Sequence, residues 1–335
     1  MIPGRILLLF GTFWVLVAVL VPHVVWLVGW LISLPAKTHL RYGPFGRTSL
    51  ALAVSVVLAL SYGYFFGRWN LKVKESSYAN QDIPAAFDGL RIVHISDLHL
   101  NTFDDRPEQL ERFVAEINAQ NPDLICFTGD LVTTGRKEAE PYTEVLSSLC
   151  AEYGVFSVLG NHDFLIYERS FTSEEERDSA LDDLDDYQTK TLGWHLLRNS
   201  SFRVEAPDGS FLTIIGVDNK NCSDQGFRTI DRGNLEEAMA GTEGFRILLS
   251  HDPSHWDSEV LPETDIPLTL SGHTHAAQVR LFGWTPASLM FLRPYGRYDK
   301  DGQTLFVNPG LGCTVPMRIG ANPEISVITL ESCRK

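Results

Sequence analysis

RIVHISDLHL, residues 91–100, decides how the rest of this chain is read. Arg91–Ile95 is a short run of β-favouring residues, and an acid and an imidazole, Asp97 and His99, follow it directly. A short apolar run bounded by polar residues is a strand candidate. The carboxyl ends of such strands are where α/β sheets present functional groups. The arrangement recurs downstream. Leu124–Thr128 precedes Gly129-Asp130, and Val155–Leu159 precedes Gly160-Asn161-His162-Asp163. Arg246–Ser250 leads into His251, and Leu268–Ser271 into Gly272-His273-Thr274-His275. Leu212–Val217, Leu305–Asn308 and Ile325–Leu330 are further strand candidates. Pro107–Gln120 has helical spacing, with Leu110, Phe113, Val114 and Ile117 on one face. Strands alternating with helices define an α/β protein.

Singly these motifs say little. Asp-x-His is common, Gly-Asp is most often a turn, and a lone histidine is most often a hydrogen-bonded imidazole. Five of them in order, each after an apolar run, form a donor set of carboxylates, imidazoles and one amide. That set suits borderline divalent ions such as Mn²⁺, Fe²⁺, Zn²⁺, Co²⁺ or Ni²⁺. Thiolates are absent from it, which argues against a structural zinc site. Two ions about 3.5–4 Å apart can share a bridging carboxylate and activate water for attack on phosphorus.

The first 70 or so residues have another character. Ile6–Leu34 is an uncharged stretch of 29 residues. As one helix it would reach about 43 Å at ~1.5 Å per residue, against a hydrocarbon core of ~30 Å. It reads as one tilted span, or as a span with a re-entrant piece broken at Pro22 and His23. A cleaved signal peptide would need an apolar core of only about 7–15 residues. Thr48–Phe66 is a second uncharged run, closing on Tyr62, Tyr64, Phe65 and Phe66 and then Arg68 and Trp69, the pattern of an interface belt with a cationic stop. The expected layout is a membrane-embedded region of about two helices over 1–70, a polar linker over 71–88 and a soluble domain over 89–335. Lys37, Arg41 and Arg47 lie between the runs, and Arg5, Arg68, Lys72 and Lys74 flank them. Positive-inside counting leans toward a cytoplasmic soluble domain. Glu174–Asp186 is dense in acids, keeps Leu181 and Leu184 at helical spacing, and lacks a calcium-loop pattern.

The formal charge is −14, which leaves no broad attraction for nucleic-acid backbones. The cysteines, Cys126, Cys150, Cys222, Cys313 and Cys333, are odd in number and have no CxxC spacing, so neither a disulfide framework nor a thiolate site is expected.

The motif series resembles the calcineurin-like metallophosphoesterase superfamily over the soluble domain. Ile92–Leu100, Leu249–Pro253 and Val307–Gly312 resemble a bacterial membrane-associated branch that includes cell-envelope phosphodiesterases, with UDP-diacylglucosamine pyrophosphohydrolases nearby. The resemblance implies a four-layer α-β-β-α sandwich, preceded here by N-terminal transmembrane helices, with a dinuclear centre at one edge. By matching motif, Asp97, His99 and His275 would hold one ion, Asn161, His251 and His273 the other, and Asp130 would bridge them, with manganese the favoured metal. His162 would be the general acid or a transition-state stabiliser. Asp163 would either orient His162 or cap its turn. Purple acid phosphatases carry a tyrosine ligand where this chain has Thr133, so no ferric-tyrosinate colour is expected. Arg293 and Arg297 would either bind the substrate phosphate or belong to a surface loop. His23, His39, His94, His195 and His255 match no ligand motif. The implied activity is hydrolysis of a phosphodiester, phosphomonoester or pyrophosphate by metal-bound hydroxide in a membrane-anchored enzyme. A lipid-linked or cell-envelope substrate would suit the anchor, with membrane lipid as the other partner. The alternatives are a non-catalytic metal-binding scaffold and, more narrowly, a lipid-precursor pyrophosphohydrolase; a nuclease is disfavoured by the charge. The complete ligand set, with His162 beside it, favours catalysis over a scaffold.

Overall fold

The computed structural model describes residues 3–38 and 40–333, so of the histidines named above only His39 lies outside it. Two apolar helices come first, α1 (Pro3–Ser33) and α2 (Gly43–Phe65). Gly4–Ser33 and Gly43–Trp69 are each long and apolar enough to cross a membrane. They lie against each other as a hairpin, with Gly11 beside Leu60 near one end and Trp26 Nε1 donating to the Leu40 carbonyl near the other. Of the two forms the sequence allows, α1 takes the unbroken one and runs through Pro22. The Val19 carbonyl beside it accepts from Ser49 Oγ of α2 (3.1 Å) and from His23 Nδ1 (2.6 Å). The Val19 carbonyl, one turn before His23, thus gains a bond from the partner helix.

The end of α2 is seated on the rest of the chain. Gly63 and Gly67 press against Met317, Arg318 and Ile319. Arg68, expected as a cationic stop, is buried. It donates to the carbonyls of Tyr64 (3.0 Å) and Thr102 (3.1 Å) and pairs with Asp104 (2.5 Å). Its guanidinium lies 4.3 Å from the ring centres of both Tyr64 and Trp69.

The strands follow in chain order. They are β1 (Lys72–Asn80), β2 (Arg91–Ile95), β3 (Leu124–Phe127), β4 (Val155–Ser157), β5 (His195–Leu196), β6 (Ser200–Glu205), β7 (Phe211–Val217), β8 (Phe245–Ser250), β9 (Leu268–Ser271), β10 (Gly296–Lys300), β11 (Gln303–Val307) and β12 (Glu324–Ser332). They form two six-stranded sheets, ordered β1-β12-β2-β3-β4-β5 and β10-β11-β9-β8-β7-β6. Alternating side chains build the layers. Ile92, Leu124, Cys126, Ile214, Ile247 and Leu249 face inward to a core between the sheets. Val93, Ile95, Ile125 and Phe127 face outward, under the helix Pro107–Ala119, whose Leu110, Phe113, Val114 and Ile117 are buried on them. Ile215, Val217 and Leu248 face out on the other side, covered by Leu235, Ala238, Trp256 and Val260. This is the expected α/β sandwich. The acidic helix Glu174–Asp186 also forms, capped by Ser173 Oγ on the Glu176 amide and held by buried Leu184.

The expected linker is corrected in part. Residues 72–80 form β1, a parallel edge strand on β12 in the register Lys72↔Glu324 to Asn80↔Ser332. The first four residues are exposed, so no alternation of apolar and polar residues marks the strand, and main-chain hydrogen bonds hold it.

The seam between α2 and the sandwich depends on the missing side chain of Gly67. A Cβ there would lie 1.8 Å from the Arg318 carbonyl oxygen. Gly67→Ala should therefore destabilise the detergent-solubilised chain by about 1–3 kcal/mol, the usual range for overpacking, and open the 66–72 junction to limited proteolysis. Gly135→Ala, where a Cβ meets nothing within 4 Å, is the matched control. An unchanged unfolding midpoint for Gly67→Ala would mean that the two parts are not coupled there.

Candidate metal centre

Loops after β2, β3, β4, β8 and β9 bring the candidate residues to one edge of the sandwich, from the carboxyl ends of strands in both sheets. The turns are sharp. Asp97 (φ 50°), His99 (φ 41°), Asp130 (φ 59°), His273 (φ 72°) and His275 (φ 49°) all lie in the left-handed region. Non-glycine residues rarely adopt it, and such strain gathers at functional sites. Close approach explains the neighbouring glycines. A Cβ on Gly160 would lie 2.2 Å from Asp130 Oδ1, and one on Gly272 would lie 2.4 Å from Asp97 Oδ2. The loops brace one another: the Asp97 amide donates to the Gly129 carbonyl (2.9 Å), the His99 amide to the Asp130 carbonyl (3.1 Å) and the His273 amide to Asp97 Oδ2 (3.0 Å).

Two groups of donor atoms share one carboxylate oxygen. Asp130 Oδ2 lies 3.4 Å from His99 Nε2 and 3.2 Å from His251 Nε2. On one side His99 Nε2 faces His275 Nε2 at 3.1 Å, with Asp97 Oδ1 3.4 Å from the latter. On the other, His251 Nε2 faces His273 Nδ1 at 3.1 Å. Carbonyl partners identify the protonated nitrogens, since a carbonyl oxygen only accepts. His251 Nδ1 donates to the Thr128 carbonyl (2.7 Å), and His273 Nε2 donates to Gln225 Oε1 (2.7 Å). When both rings are neutral, the nitrogens left facing each other carry lone pairs, which calls for a proton or a metal ion between them. Asp97 Oδ1 and Asn161 Oδ1 are buried with no hydrogen-bond donor. Bonds of about 2.0–2.2 Å to an ion put neighbouring ligand atoms roughly 3 Å apart, as here. Asp97, His99 and His275 could hold one ion and Asp130, His251 and His273 a second, with Asn161 at the same pocket.

The electrostatics agree. Burial pushes the Asp97 carboxyl up to about 6 and the His99 imidazole down to about 3. Burial opposes the charge on Asp130, yet the imidazoles of His251, His162 and His99 hold it well below the usual carboxylate range. Burial also opposes a charged His251, but the carboxylates of Asp130 and Asp97 lift it to about 10. In the metal-free protein a proton on His251 therefore balances Asp130, and an incoming ion must displace it.

A family model for calcineurin-like phosphoesterases matches residues 90–277, more than half of the chain. The chain belongs to that family. This phosphoesterase is 31% identical over 308 residues to a zebrafish (Danio rerio) transmembrane protein with a metallophosphoesterase domain, covering 89% of this chain and 66% of that protein. It is also 31% identical over 311 residues to the metallophosphoesterase YkuE of Bacillus subtilis, covering 87% of this chain and 96% of that one. A third relative is the UDP-2,3-diacylglucosamine pyrophosphatase LpxG of Chlamydia trachomatis, 27% identical over 296 residues, or 74% of this chain and 87% of that protein.

Other expected site residues stand differently in the phosphoesterase. His162 is half-buried at the cavity wall, its ring Nδ1 donating to the Thr133 carbonyl (2.8 Å) and its amide to Asp130 Oδ1 (2.8 Å). Asp163 does not orient that ring. Its carboxylate accepts from the amides of Asp130 (2.7 Å), Gly160 (3.0 Å) and Val132 (3.1 Å), tying two loops together. Arg293 and Arg297, left between phosphate binding and a surface loop by the sequence, are both engaged away from the cavity. Arg293 pairs with Asp257 through two 3.1 Å bonds. Arg297 pairs with Asp299 and donates to the Ser77 carbonyl. Neither lines the cavity at the site. Sequence reading missed Gln225, which links His273 to Asp252 (2.5 Å), and Tyr167, whose hydroxyl accepts from Asn161 Nδ2 (3.1 Å) while its ring lies 4.2 Å from that of His162. It also missed Arg318, a buried guanidinium held by the carbonyls of Pro309, Gly312 and Ala321. These three sit in irregular segments with no motif spacing.

Two outcomes test this geometry. Because the raised His251 value lies above 7, the ring is protonated at neutral pH and must become neutral to ligate. Ion binding at pH 7 should then release about one proton per chain, and affinity should rise with pH toward 10. Calorimetry in buffers of different ionisation enthalpy reads the release, and a buffer-independent heat would contradict it. Gln225→Leu removes the acceptor that sets the His273 tautomer. One of the two ions should then bind about 10–100-fold more weakly in a metal titration, with the other little changed.

Proposed function

We propose that this phosphoesterase is membrane-anchored and hydrolyses a phosphate ester or pyrophosphate bond at a centre of two divalent ions. Asp97, His99 and His275 hold one ion, Asn161, His251 and His273 the other, and Asp130 bridges them. The observation that carries this reading is the single oxygen, Asp130 Oδ2, set between two imidazole pairs whose ring nitrogens face each other at 3.1 Å. The ions supply Lewis acidity and lower the pKa of water at neutral pH. Oxygen and imidazole donors suit manganese, the metal proposed, as well as iron, zinc, cobalt or nickel. His162 has its Nδ1 engaged by Thr133, which leaves Nε2 to meet a leaving-group oxygen. Its role is general acid or charge stabiliser. Residues 1–70 form the anchor, because α1 and α2 expose Leu8, Leu20, Ile32, Leu50 and Leu58, and none of the described residues covers them.

A lipid-linked substrate is the narrower reading. The cavity over the site, about 370 Å³, is walled by Phe10 of α1 and by Phe227, Met290, Phe291, Val315 and Met317. Apolar walls above a polar floor fit a phosphate group joined to an acyl chain. The likeness to a diacylglucosamine pyrophosphatase points the same way.

The test uses the full chain stripped of metal, with Mn²⁺ titrated back and bis-p-nitrophenyl and p-nitrophenyl phosphate as probes. Turnover should require metal. His162→Ala should keep both ions and lose about 10²-fold or more in kcat, whereas Asp130→Ala should lose both ions. A UDP-linked diacylated sugar in nanodiscs should be the better substrate. Two bound ions with no turnover on any of the three would favour the scaffold. Full metal occupancy in Asp130→Ala would remove the bridge.

A further inference from the structure

The segment between β9 and β10 carries a hairpin that water does not explain. Leu281 and Trp284 exchange both main-chain hydrogen bonds (2.9 and 3.0 Å) around a two-residue tip, Phe282-Gly283. Both tip residues have positive φ, 53° and 85°. Such tips favour Asn-Gly or Asp-Gly, because a bulky side chain at positive φ is strained. Here the strained position holds a phenyl ring at 107% exposure, wholly in solvent. Leu289 (80%), Leu292 (74%) and half-exposed Trp284 stand beside it in the same segment. Soluble surfaces rarely gather apolar side chains this way unless something covers them.

The position of the hairpin says what does. Its base is tied to Ile319, whose carbonyl accepts from the Arg280 amide (2.8 Å). The same segment, Met317–Ile319, is the seat of α2: the Arg318 amide donates to the Gly63 carbonyl (3.2 Å). Phe10 of α1 and Met290 of the hairpin segment line one cavity. The exposed apolar patch is therefore continuous with the end of the helix pair where the chain enters the sandwich.

We infer that residues 281–292 are a second lipid contact, a wedge that enters the surface of the bilayer crossed by α1 and α2 and turns the mouth of the metal centre toward it. A tryptophan beside aliphatic and phenyl groups is the composition of an interfacial contact. Such a contact is weak alone, but here the helices hold it at the surface and it needs only to fix orientation. The substrate then reaches the ions from the lipid side, past Phe10, Met290 and Phe291. The inference rests on the proposed membrane anchor, and the experiment separates the two.

The full chain is placed in phosphatidylcholine nanodiscs, and in matched discs whose acyl chains carry bromine, a contact quencher of tryptophan. The signal lost in Trp284→Phe gives the share of Trp284, and that lost in a Trp14→Phe/Trp26→Phe/Trp30→Phe chain gives the share of α1. Quenching of both shares is the expected result. Quenching of the α1 share alone overturns the wedge and leaves the anchor standing. Quenching of neither overturns both. A second variant, Phe282→Asn, suits the turn better in water, so its melting temperature in detergent and its turnover of bis-p-nitrophenyl phosphate should not fall. The quenching of Trp284 should nonetheless weaken in the bromine discs. Undiminished quenching in that variant would show that Phe282 does not carry the contact.

Discussion

Asp130 places a carboxylate where almost no water reaches, with a second carboxylate, Asp97, and the imidazoles of His99, His251, His273 and His275 crowded around it. Ionised groups buried this way are costly unless each charge is answered nearby. In the bare protein a proton shared with His251 answers one charge; a pair of divalent ions would answer all of them. Much of the architecture serves that crowding. The inward-facing residues of two sheets hold them face to face, and the strand ends of both sheets then supply one edge with donors that no single loop could gather. Asp163 contributes by gathering three main-chain amides from two loops. Its burial and the charge of Asp130 raise its own carboxyl to about 7. The positive φ values around the site record how far the backbone is bent to bring the donors together.

A second junction joins the two halves of the molecule. Met317–Ile319 touches α2 at Gly63 and the turn after it at Gly67, walls the cavity through Met317, and sends the Arg318 guanidinium inward to within 3.4 Å of His275 Nδ1. Among the described residues no carboxylate pairs with Arg318, so its charge adds to the field felt by an anion in the site. Helix packing and site electrostatics are thus set by one short segment.

The catalytic fold was legible because its signals are local. Ile92, Leu124, Ile214 and Ile247 announce strands through alternation with neighbours that face the other way, and the motifs follow each strand at once. Asp97, Asp130 and His273 could be picked out without knowing where they meet. What stayed hidden depends on partners far along the chain. Arg293 has the chemistry of phosphate binding, and only the fold reveals that Asp257, 36 residues earlier, already holds it. Gln225 acquires meaning only once His273 is beside it. The alternatives left for Asp163 differ by which amides come near, which no spacing encodes. Pro22 leaves either a continuous or a broken helix open to the sequence, because its ring removes one helical hydrogen bond, and only the structure shows the helix running through it.

The edge strand β1 has a consequence for the making of the protein. Among the described residues it pairs only with β12, which lies between it and β2. A ribosome working at about 5–20 residues per second delivers β12 roughly 12–50 s after β1. Through that interval both β1 and the flank of β2 await the same late strand, two open edges that a stray chain could fill. The charges of Lys72, Lys74 and Glu75 discourage such pairing. The polarity that disguised β1 as a linker is thus what allows it to wait, and a chain cut short before residue 324 would emerge with neither edge closed.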